Sequence, residues 1–416
     1  MNAKEFTDRY LVSRTETNSL KWDALDVRFG NPDLTAMWVA DMEFKTPEAV
    51  VEAMTKRVEH GVYGYSIIPE SYFEALNSWH ERRHGSEVKK EWVRFAPGVV
   101  NAIYWLINAF TEVNDAVLIV TPVYYPFHNA VKDTHRNLIR SELIVEDGKY
   151  RIDFEDFENK IKENDVKMFI QCSPHNPAGR VWTEEELEKI LEICEKYHVL
   201  VITDEIHQDI IIGDKKFIPA SIIAGGKYKE NMITLSSASK TFNLACLLNS
   251  HIIIYNELLR KRYDGFAKVT NQSEVNIMGM VATEAAYTHG EEWLEGLLDV
   301  IRSNKMEVVV MNGLEADPSG YGKIIWDPVN KKAILHISNL PKQPSNKDYQ
   351  LWVIRDKKPV DAGLFQVSDN RSGGQLYKID NLVESNRSRI NAFAVTLEPK
   401  GGVPQPTGKM YLLGSI

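Results

Sequence analysis

Cysteine is scarce in this sequence, and neither a long apolar run nor an excess of basic charge is present. The 416 residues include three cysteines, Cys172, Cys194 and Cys246, without the paired spacing of a disulfide framework or a zinc site. We therefore expect a reducing compartment and predict no metal site. The net charge of −9 argues against nucleic acid or an anionic membrane surface as a partner.

No stretch of the sequence qualifies as a membrane span or a signal peptide. The most apolar longer run, residues 95–110, is short and is interrupted by Pro97 and Gly98. The first 14 residues mix charges and lack an apolar centre. We predict a cytoplasmic protein, long enough for two or three domains with a sizeable core.

Between about residues 90 and 260, apolar segments alternate with segments of helical periodicity. The predicted strands are Ala116–Thr121, Val166–Cys172, Val199–Thr203, Met232–Leu235 and His251–Tyr255. Nearly continuous apolar strands that alternate with helices are typical of a mostly parallel α/β sheet. Helices are predicted for Thr46–His60 and from Thr183, which has capping-box spacing to Glu186. Residues 1 to about 45 are expected to be irregular.

From about residue 305 the pattern changes to short alternating runs broken by proline, glycine and asparagine. The predicted strands there include Lys323–Trp326, Lys332–Ile337, Tyr349–Arg355, Ala362–Val367, Ala392–Leu397 and Lys409–Leu413. Their period of two predicts a small antiparallel β sandwich or barrel of roughly 100 residues. We therefore predict an α/β domain over residues 1–305 and an all-β domain over residues 306–416.

The first candidate for chemistry is a lysine with two serines beside it, in Ser237-Ala238-Ser239-Lys240. The stretch follows an apolar run, which suits the turn after a strand. The amine of Lys240 could form a Schiff base with pyridoxal phosphate (PLP), and the serine hydroxyls could bind its phosphate. Because a lysine in this setting is also common as a solvated surface residue, the pattern needs support from other stretches.

Ligands of open α/β sheets bind beyond the carboxyl ends of the strands, and further candidates follow strands. Gly98 precedes a helix whose N-terminus favours a phosphate, although an ordinary Pro-Gly turn explains the stretch equally well. Tyr124 follows a strand and could stack on a pyridine ring, or it could be a core tyrosine with a satisfied hydroxyl.

Two polar residues complete the candidate set. Asn176 lies in Ser173-Pro174-His175-Asn176-Pro177-Ala178-Gly179, a loop made rigid by two prolines, and its amide could donate to a phenolate oxygen of the cofactor. Asp204 ends a predicted strand, where it could pair with a protonated pyridine nitrogen. The alternative for Asp204 is the N-cap of a following helix.

The order of these features, a glycine loop followed by tyrosine, asparagine, aspartate and lysine, resembles the fold-type-I PLP enzymes of the class I/II aminotransferase superfamily. Within that superfamily the MalY/PatB group of cystathionine β-lyases is similar in four stretches. These stretches are KWD at Lys21–Asp23, MWVADMEF at Met37–Phe44, GYS at Gly64–Ser66 and SASKTFN at Ser237–Asn243. The resemblance covers residues 1 to about 305.

The resemblance implies a role for each candidate residue. Lys240 would bind the cofactor covalently and later move the Cα proton, while Asp204 would pair with the ring nitrogen and Asn176 with the phenolate oxygen. Tyr124 would stack on the ring. The phosphate would be held by the backbone of Val99 and Val100 and by the side chains of Ser237 and Ser239.

The resemblance also implies an activity and an assembly. The expected enzyme is a PLP-dependent carbon–sulfur β-lyase that eliminates a thiol from an L-cysteine S-conjugate such as cystathionine, giving pyruvate and ammonia. Tyr65 would reach the phosphate of a neighbouring subunit, which implies a homodimer with shared sites. His207 occupies a position where many relatives have a tyrosine, and it receives no role. The alternatives are an aminotransferase of the same superfamily and a PLP-binding but catalytically impaired fusion or regulatory protein.

The sequence departs from the family after residue 305. The family normally carries a C-terminal Asn-x-x-x-Pro-Arg-like segment whose arginine binds the substrate carboxylate, and no such segment is found. The arginines that lack this context are Arg302, Arg355, Arg371, Arg387 and Arg389. A missing charge-assisted contact of this kind weakens substrate binding by about 1.5–3 kcal/mol.

Residues 306–416 instead resemble the C-terminal domain of the anti-sigma-K factor RskA group. The similar segments are residues 352–356, 358–363 and 393–408. Such a domain normally lies outside the cytoplasmic membrane behind a transmembrane helix, so the two halves imply different compartments. A natural fusion, an engineered chimera and a joined reading frame all fit this combination.

Overall fold

The chain folds into two compact units, Met1–Val300 and Ile301–Ile416. The computed structural model describes residues 1–146, 149–213, 215–272, 276–303, 307–327, 332–367, 375–379, 382 and 389–415. The sequence pattern changes near residue 305, close to this division. That the units are separate functional domains stays a prediction.

The α-helices of the described residues are α1 (Ala3–Tyr10), α2 (Leu20–Asp23), α3 (Leu25–Phe29), α4 (Glu48–His60), α5 (Glu70–His84), α6 (Val99–Phe110), α7 (Tyr125–Asp133), α8 (Phe154–Asn164), α9 (Glu184–Lys196), α10 (Ala238–Thr241), α11 (Glu257–Val269), α12 (Ile277–His289) and α13 (Glu291–Ser303). The strands of the first unit are β1 (Val93–Ala96), β2 (Ala116–Thr121), β3 (Asn137–Glu142), β4 (Ile144–Glu146), β5 (Lys149–Arg151), β6 (Met168–Cys172), β7 (Leu200–Asp204), β8 (Met232–Ser236) and β9 (Ser250–Ile254). No helix of the described residues is both long and apolar enough to cross a membrane.

Seven strands of the first unit form one sheet, in the order β1-β9-β8-β7-β6-β2-β3. The neighbours from β8 to β3 pair in parallel, whereas β9 runs antiparallel to both β8 and β1. The strands β6, β8 and β9 are buried along their whole length, and the core lies between the sheet and helices that include α6, α7 and α11. The predicted mostly parallel α/β sheet is confirmed.

Helix α9 shows how the local sequence sets an element boundary. The Thr183 hydroxyl accepts a hydrogen bond from the backbone N–H of Glu186 at 3.2 Å, and the Glu186 carboxylate accepts one from the N–H of Thr183 at 2.9 Å. This capping box satisfies two amides that have no partner within the helix. The apolar face behind it, predicted from the spacing, is buried.

The expectation of an irregular N-terminal segment was wrong. Helix α1 begins with its own capping box, in which Asn2 and Glu5 satisfy each other's backbone amides. Its buried Phe6 packs edge-on against Trp293 of α13, with ring centroids 5.3 Å apart. A short helix of this kind is stabilised by tertiary packing rather than by its own propensity, so its periodicity is too brief to identify from the sequence.

The second unit is an eight-stranded antiparallel sheet in the order β14-β13-β16-β17-β10-β11-β12-β15. Its strands are β10 (Glu307–Gly313), β11 (Tyr321–Asp327), β12 (Lys332–Ser338), β13 (Lys347–Arg355), β14 (Lys358–Phe365), β15 (Gln375–Ile379), β16 (Ile390–Pro399) and β17 (Met410–Ser415). The outermost strands, β14 and β15, lie close together, as the distance of 4.7 Å between the ring centroids of Phe365 and Tyr377 shows. The sheet is therefore curled towards a barrel, and the predicted small antiparallel all-β fold is confirmed.

Candidate active site

Four predicted residues lie at one edge of the first unit's sheet. Because β2, β6, β7 and β8 are parallel, their carboxyl ends share that edge. Tyr124 follows β2, Asn176 follows β6, Asp204 ends β7 and Lys240 follows β8. The loops are joined by backbone hydrogen bonds, from the N–H of Tyr124 to the carbonyl oxygen of Asn176 at 3.0 Å and from Ser173 to Asp204 at 2.9 Å.

The short helix α10 carries Lys240 and is held by its serines. The Ser237 hydroxyl accepts from the N–H of Ser239 at 3.1 Å and donates to the carbonyl oxygen of Asn249 at 2.7 Å. The two serine hydroxyl oxygens lie 2.8 Å apart, so both face the same place. The amine of Lys240 donates to the carbonyl oxygen of Ala40 at 2.9 Å.

The environment of Lys240 suits an amine that gains and loses a proton. Burial lowers the pKa of the amine, while the negative charges of Asp41 and Asp204 act in the opposite direction. The net pKa is below that of an ordinary lysine, which increases the neutral fraction of the amine. His207 is also close enough for mutual influence: burial, with the charge of Lys240, lowers the pKa of this imidazole to about 4.

Asp204 is a buried carboxylate with few partners. It accepts a hydrogen bond from the N–H of Ile206 at 3.1 Å, and burial raises its pKa to about 7 although that bond and the charge of Lys240 lower it. The bond closes a turn, and the described residues directly after Asp204 form turns rather than an α-helix, so the alternative role as a helix N-cap is not supported. A protonated ring nitrogen would supply the cationic partner that this carboxylate needs to be charged at neutral pH. The residues present therefore fit PLP.

The residues that are predicted to bind the cofactor phosphate lie on two elements. Helix α6 begins at Val99, and its N-cap Gly98 provides no side chain to satisfy the first amides. Those amides and the positive end of the helix dipole are suited to an anion. Gly98 itself has an extended backbone that any residue adopts, so its φ does not explain the choice of glycine. The second element carries the predicted donors Ser237 and Ser239, but the buried Ser237 hydroxyl already donates to Asn249, so only Ser239 has a hydroxyl proton left for a phosphate.

The two tyrosines predicted to contact the cofactor are both exposed in the chain. The side chain of Tyr124 is 38% exposed, which excludes the core alternative. Tyr65 is fully exposed in the segment between α4 and α5, where its neighbours Val62, Tyr63 and Ile67 are exposed as well. The roles of both tyrosines, like those of the other site residues, stay predictions.

Sequence reasoning missed three residues that contact or influence the lysine segment. They are Ala40, whose carbonyl oxygen accepts from Lys240, Asp41, whose charge raises the lysine pKa, and Asn243, which binds Met42 and Phe44. The MWVADMEF stretch contains the first two, but it was used only as a mark of resemblance. Nothing in its composition indicated that it lies against Lys240.

Three of the five arginines that follow residue 300 and lack the expected context lie among the described residues. The guanidinium of Arg389 pairs with the carboxylate of Asp356 at 2.7 Å within the second unit. Arg302 and Arg355 each have an interaction in the structure. Arg371 and Arg387 lie outside the described residues.

The sheet order, together with a lysine, an aspartate and an asparagine at its carboxyl edge, defines a PLP enzyme of fold type I. Residues 33–263 match the family model described as aminotransferase class I and II. The chain belongs to that family. Residues 281–410 match a second model, the C-terminal domain of anti-sigma-K factor rskA, and this match begins within α12.

Two individual proteins are similar to this chain over 71% of its length. The chain is 39% identical to cystathionine beta-lyase PatB of Bacillus subtilis, over 71% of this chain and 76% of that protein. It is 32% identical to protein MalY of Escherichia coli, over 71% and 75% of the two chains. The predicted resemblance is thereby confirmed for the first unit, and the second family match confirms it for the C-terminal part.

Solved structures support the fold and the cofactor prediction. Cystalysin from Treponema denticola, which contains pyridoxal 5'-phosphate, has a TM-score of 0.68 and 32% identity over 79% of this chain and 82% of that one. The PLP-bound C-S lyase from Staphylococcus hominis has a TM-score of 0.66 and 34% identity over 78% and 81% of the two chains. The Staphylococcus hominis protein is named a C-S lyase and the Bacillus subtilis protein a cystathionine beta-lyase, and the prediction of an enzyme of this class is confirmed.

Proposed function

We propose that this PLP-dependent carbon–sulfur lyase cleaves an L-cysteine S-conjugate such as cystathionine, releasing a thiol, pyruvate and ammonia. The observation that carries the proposal is the partly buried amine of Lys240 at the same sheet edge as the buried carboxylate of Asp204, since burial lowers the lysine pKa and raises that of the aspartate. The names of the similar proteins, cystathionine beta-lyase and C-S lyase, support the substrate class.

The residues that would hold PLP are the predicted ones. Lys240 would bind it covalently, with Asp204 at the ring nitrogen and Asn176 at the phenolate oxygen, and Tyr124 on the ring face. The phosphate would be held by Val99, Val100, Ser237 and Ser239. When bound, the cofactor supplies an electron sink for the bond that breaks at the substrate Cα.

Lys240 is the residue that moves the proton. Its amine is neutral more often than that of an exposed lysine, because burial lowers its pKa. A neutral amine can take the Cα proton onto Nζ, after which the thiolate leaves Cβ with the electrons of the carbon–sulfur bond. Asp204 would pair with the ring nitrogen, and a proton on that nitrogen would keep the carboxylate charged although burial raises its pKa.

A second candidate is an aminotransferase, because it begins with the same proton transfer. A specific observation favours it: a PLP-bound putative aminotransferase from Clostridium difficile has 38% identity and a TM-score of 0.69, over 79% of this chain and 83% of that one. An aminotransferase requires an added keto acid to complete its cycle, whereas a β-lyase releases pyruvate without one.

We also propose that two copies of the chain form a homodimer in which Tyr65 reaches the phosphate site of the partner. The exposed tyrosine and the exposed apolar side chains of Val62, Tyr63 and Ile67 support a protein-covered surface there. The cytoplasmic location stays a prediction.

The test is a visible spectrum of the purified full-length protein before and after addition of L-cystathionine, with pyruvate assayed in parallel. We expect a cofactor band that is lost in Lys240→Ala and kept in the exposed-lysine control Lys162→Ala, together with pyruvate release. Turnover only with a keto acid would favour the aminotransferase. A band without turnover of either kind would favour the impaired regulatory protein, and no band would overturn the cofactor assignment.

A further inference from the structure

The side chain of Asn243 joins two parts of the chain that are about 200 residues apart. Its Oδ1 accepts from the N–H of Met42 at 3.0 Å. Its Nδ2 donates to the carbonyl oxygens of Met42 at 2.9 Å and of Phe44 at 3.0 Å. Both ends of one amide thus bind a single extended segment, which we call the Ala40–Phe44 segment. Asn243 lies two residues after α10, the helix that carries Lys240.

The backbone conformation at residue 243 favours asparagine. Its backbone has φ 60°, in the left-handed region that asparagine adopts more readily than most residues. This conformation ends the turn after α10. The same residue therefore shapes the lysine turn through its backbone and fixes the Ala40–Phe44 segment through its side chain.

The fixed segment places one hydrogen-bond acceptor and one negative charge near the lysine amine. The carbonyl oxygen of Ala40 lies 2.9 Å from Nζ of Lys240, and the charge of Asp41 raises the lysine pKa. Asp41 is held in turn by Arg14, whose Nη2 donates to Oδ2 at 2.9 Å. The other ionisable groups that interact with the amine are Asp204 at the end of β7 and His207 in the turn after it.

We propose that Asn243 is a positioning residue that clamps the Ala40–Phe44 segment against the Lys240 turn, so that the Ala40 carbonyl accepts from the protonated amine of Lys240 and the negative charge of Asp41 stabilises it. This inference rests on the proposed function. When Nζ takes the Cα proton, the C–H bond breaks, its electron pair stays with the substrate, and an N–H bond forms that makes an ammonium. The Ala40 carbonyl oxygen and the negative charge of Asp41 stabilise that ammonium in a partly buried site.

The main variant is Asn243→Gly, because glycine keeps the left-handed backbone without strain while it removes all three side-chain hydrogen bonds. The matched control is Asn114→Gly. Asn114 also has a positive φ, of 71°, but it is exposed and lies before β2, at the opposite end of that strand from the site. Loss of stability common to both variants is then separated from effects at the lysine.

The first measurement needs no cofactor and no turnover. In the full-length apoprotein, the pH dependence of Lys240 acetylation, read by mass spectrometry of its peptide, gives the midpoint at which the amine becomes neutral. We expect Asn243→Gly to lower this midpoint by about half a pH unit or more, since the ammonium loses its acceptors. The control should match the wild type. A midpoint unchanged in Asn243→Gly overturns the proposal.

Asp41→Asn keeps the clamp and removes only the charge, so it tests the inference if Asn243→Gly does not fold. Its acetylation midpoint should also fall, whereas hydrogen exchange at the amide of Met42 should stay slow. In Asn243→Gly that amide should exchange faster. A midpoint in Asp41→Asn equal to that of the wild type contradicts the role of the carboxylate.

Turnover supplies a separate readout. If the lyase activity is present, Asn243→Gly should lower kcat by about tenfold with little change in KM, because the lost contacts act on the proton transfer. If the wild type releases no pyruvate while the acetylation midpoint still shifts, the clamp stands and the proposed lyase function fails. An equal loss of kcat in Asn114→Gly would mean that the effect is not specific to the lysine.

Discussion

The carboxylate of Asp209 accepts a 2.7 Å hydrogen bond from the hydroxyl of Thr241, the residue next to Lys240. Asp209 is buried and also lies 2.9 Å from Nε2 of His84 in α5. Burial raises the pKa of this carboxyl, but the hydrogen bonds from His84 and Thr241 contribute to a larger opposite effect. The net pKa lies below that of an ordinary aspartate, so the group is ionised in the folded protein. A buried charge therefore ties the lysine turn to a helix of the first unit.

Thr241→Val should destabilise the protein, because it leaves Asp209 with one donor fewer. The substitution keeps the shape of the side chain, so the lost hydrogen bond is the main change. Loss of a partner by a buried acceptor costs about 1–3 kcal/mol. We expect a lower urea midpoint for the apoprotein and weaker retention of the cofactor on dialysis. Thr241→Ser keeps the hydroxyl and serves as the control. Equal urea midpoints for Thr241→Val and the wild type would show that the bond contributes nothing.

Asp204 makes the stability of the apoprotein depend on pH. Because burial raises its folded pKa from 3.8 to about 7, its stabilising contribution is complete below about pH 4 and is lost as the pH rises through 7. Asp204→Asn removes this loss, so the variant should gain stability relative to the wild type over that range, by at most about 4 kcal/mol. Urea unfolding of both apoproteins at several pH values measures the difference.

The control for this prediction is the neighbouring acid. Burial raises the pKa of Glu205 to about 8, so Glu205→Gln should show its relative gain at higher pH than Asp204→Asn. Saturation with PLP should diminish the gain of Asp204→Asn, since a protonated ring nitrogen stabilises the carboxylate. A difference between wild type and Asp204→Asn that is the same at every pH would contradict the raised pKa.

The sequence predicted five of the seven strands of the central sheet, because these are buried almost throughout, and it missed the partly buried edge strands β1 and β3. The predicted strand Ala116–Thr121 has the bounds of β2, and the capping box at Thr183 begins α9. The candidate residues were also placed at strand ends, since a buried apolar run that stops at a polar residue indicates where a strand leaves the core. Their common edge then follows from parallel pairing alone.

What the sequence could not predict depends on contacts between distant segments. The amide of Asn243 binds Met42 and Phe44, and the carboxylate of Asp209 binds Thr241 and His84. A hydrogen bond between a side chain and a remote group leaves no local periodicity, so neither contact has a signature in its own stretch. Helix α1 was missed for a related reason, because it is stabilised by packing on α13.

The proposed dimer predicts complementation between two inactive variants. Lys240→Ala removes the reactive amine, and Tyr65→Ala removes a residue that would act in the partner's site. A mixed dimer of the two variants has one site with both residues intact. After joint refolding in equal amounts we expect about a quarter of the wild-type activity, while each variant alone is inactive. Activity no higher than that of the separate variants would contradict shared sites.

No segment with an arginine that binds the substrate carboxylate is found in the sequence. We therefore expect the protein to bind amino acids and simple amines with similar affinity. L-Alanine and ethylamine differ by the carboxylate, and both can occupy the cofactor site, so the ratio of their dissociation constants, read from the cofactor spectrum, isolates that group. We expect a ratio below about tenfold here, because a bidentate arginine contact that contributes about 1.5–3 kcal/mol would raise it by at least that factor.

The Bacillus subtilis relative is the natural comparison for this ratio, because about a quarter of its length has no counterpart in this chain. It should prefer L-alanine more strongly, since its family normally carries the arginine in a C-terminal segment. A matching preference in the present protein would mean that another cation binds the carboxylate. Arg14→Gln would then test the arginine that binds Asp41, because the preference for L-alanine should disappear while the affinity for ethylamine is kept if Arg14 is that cation.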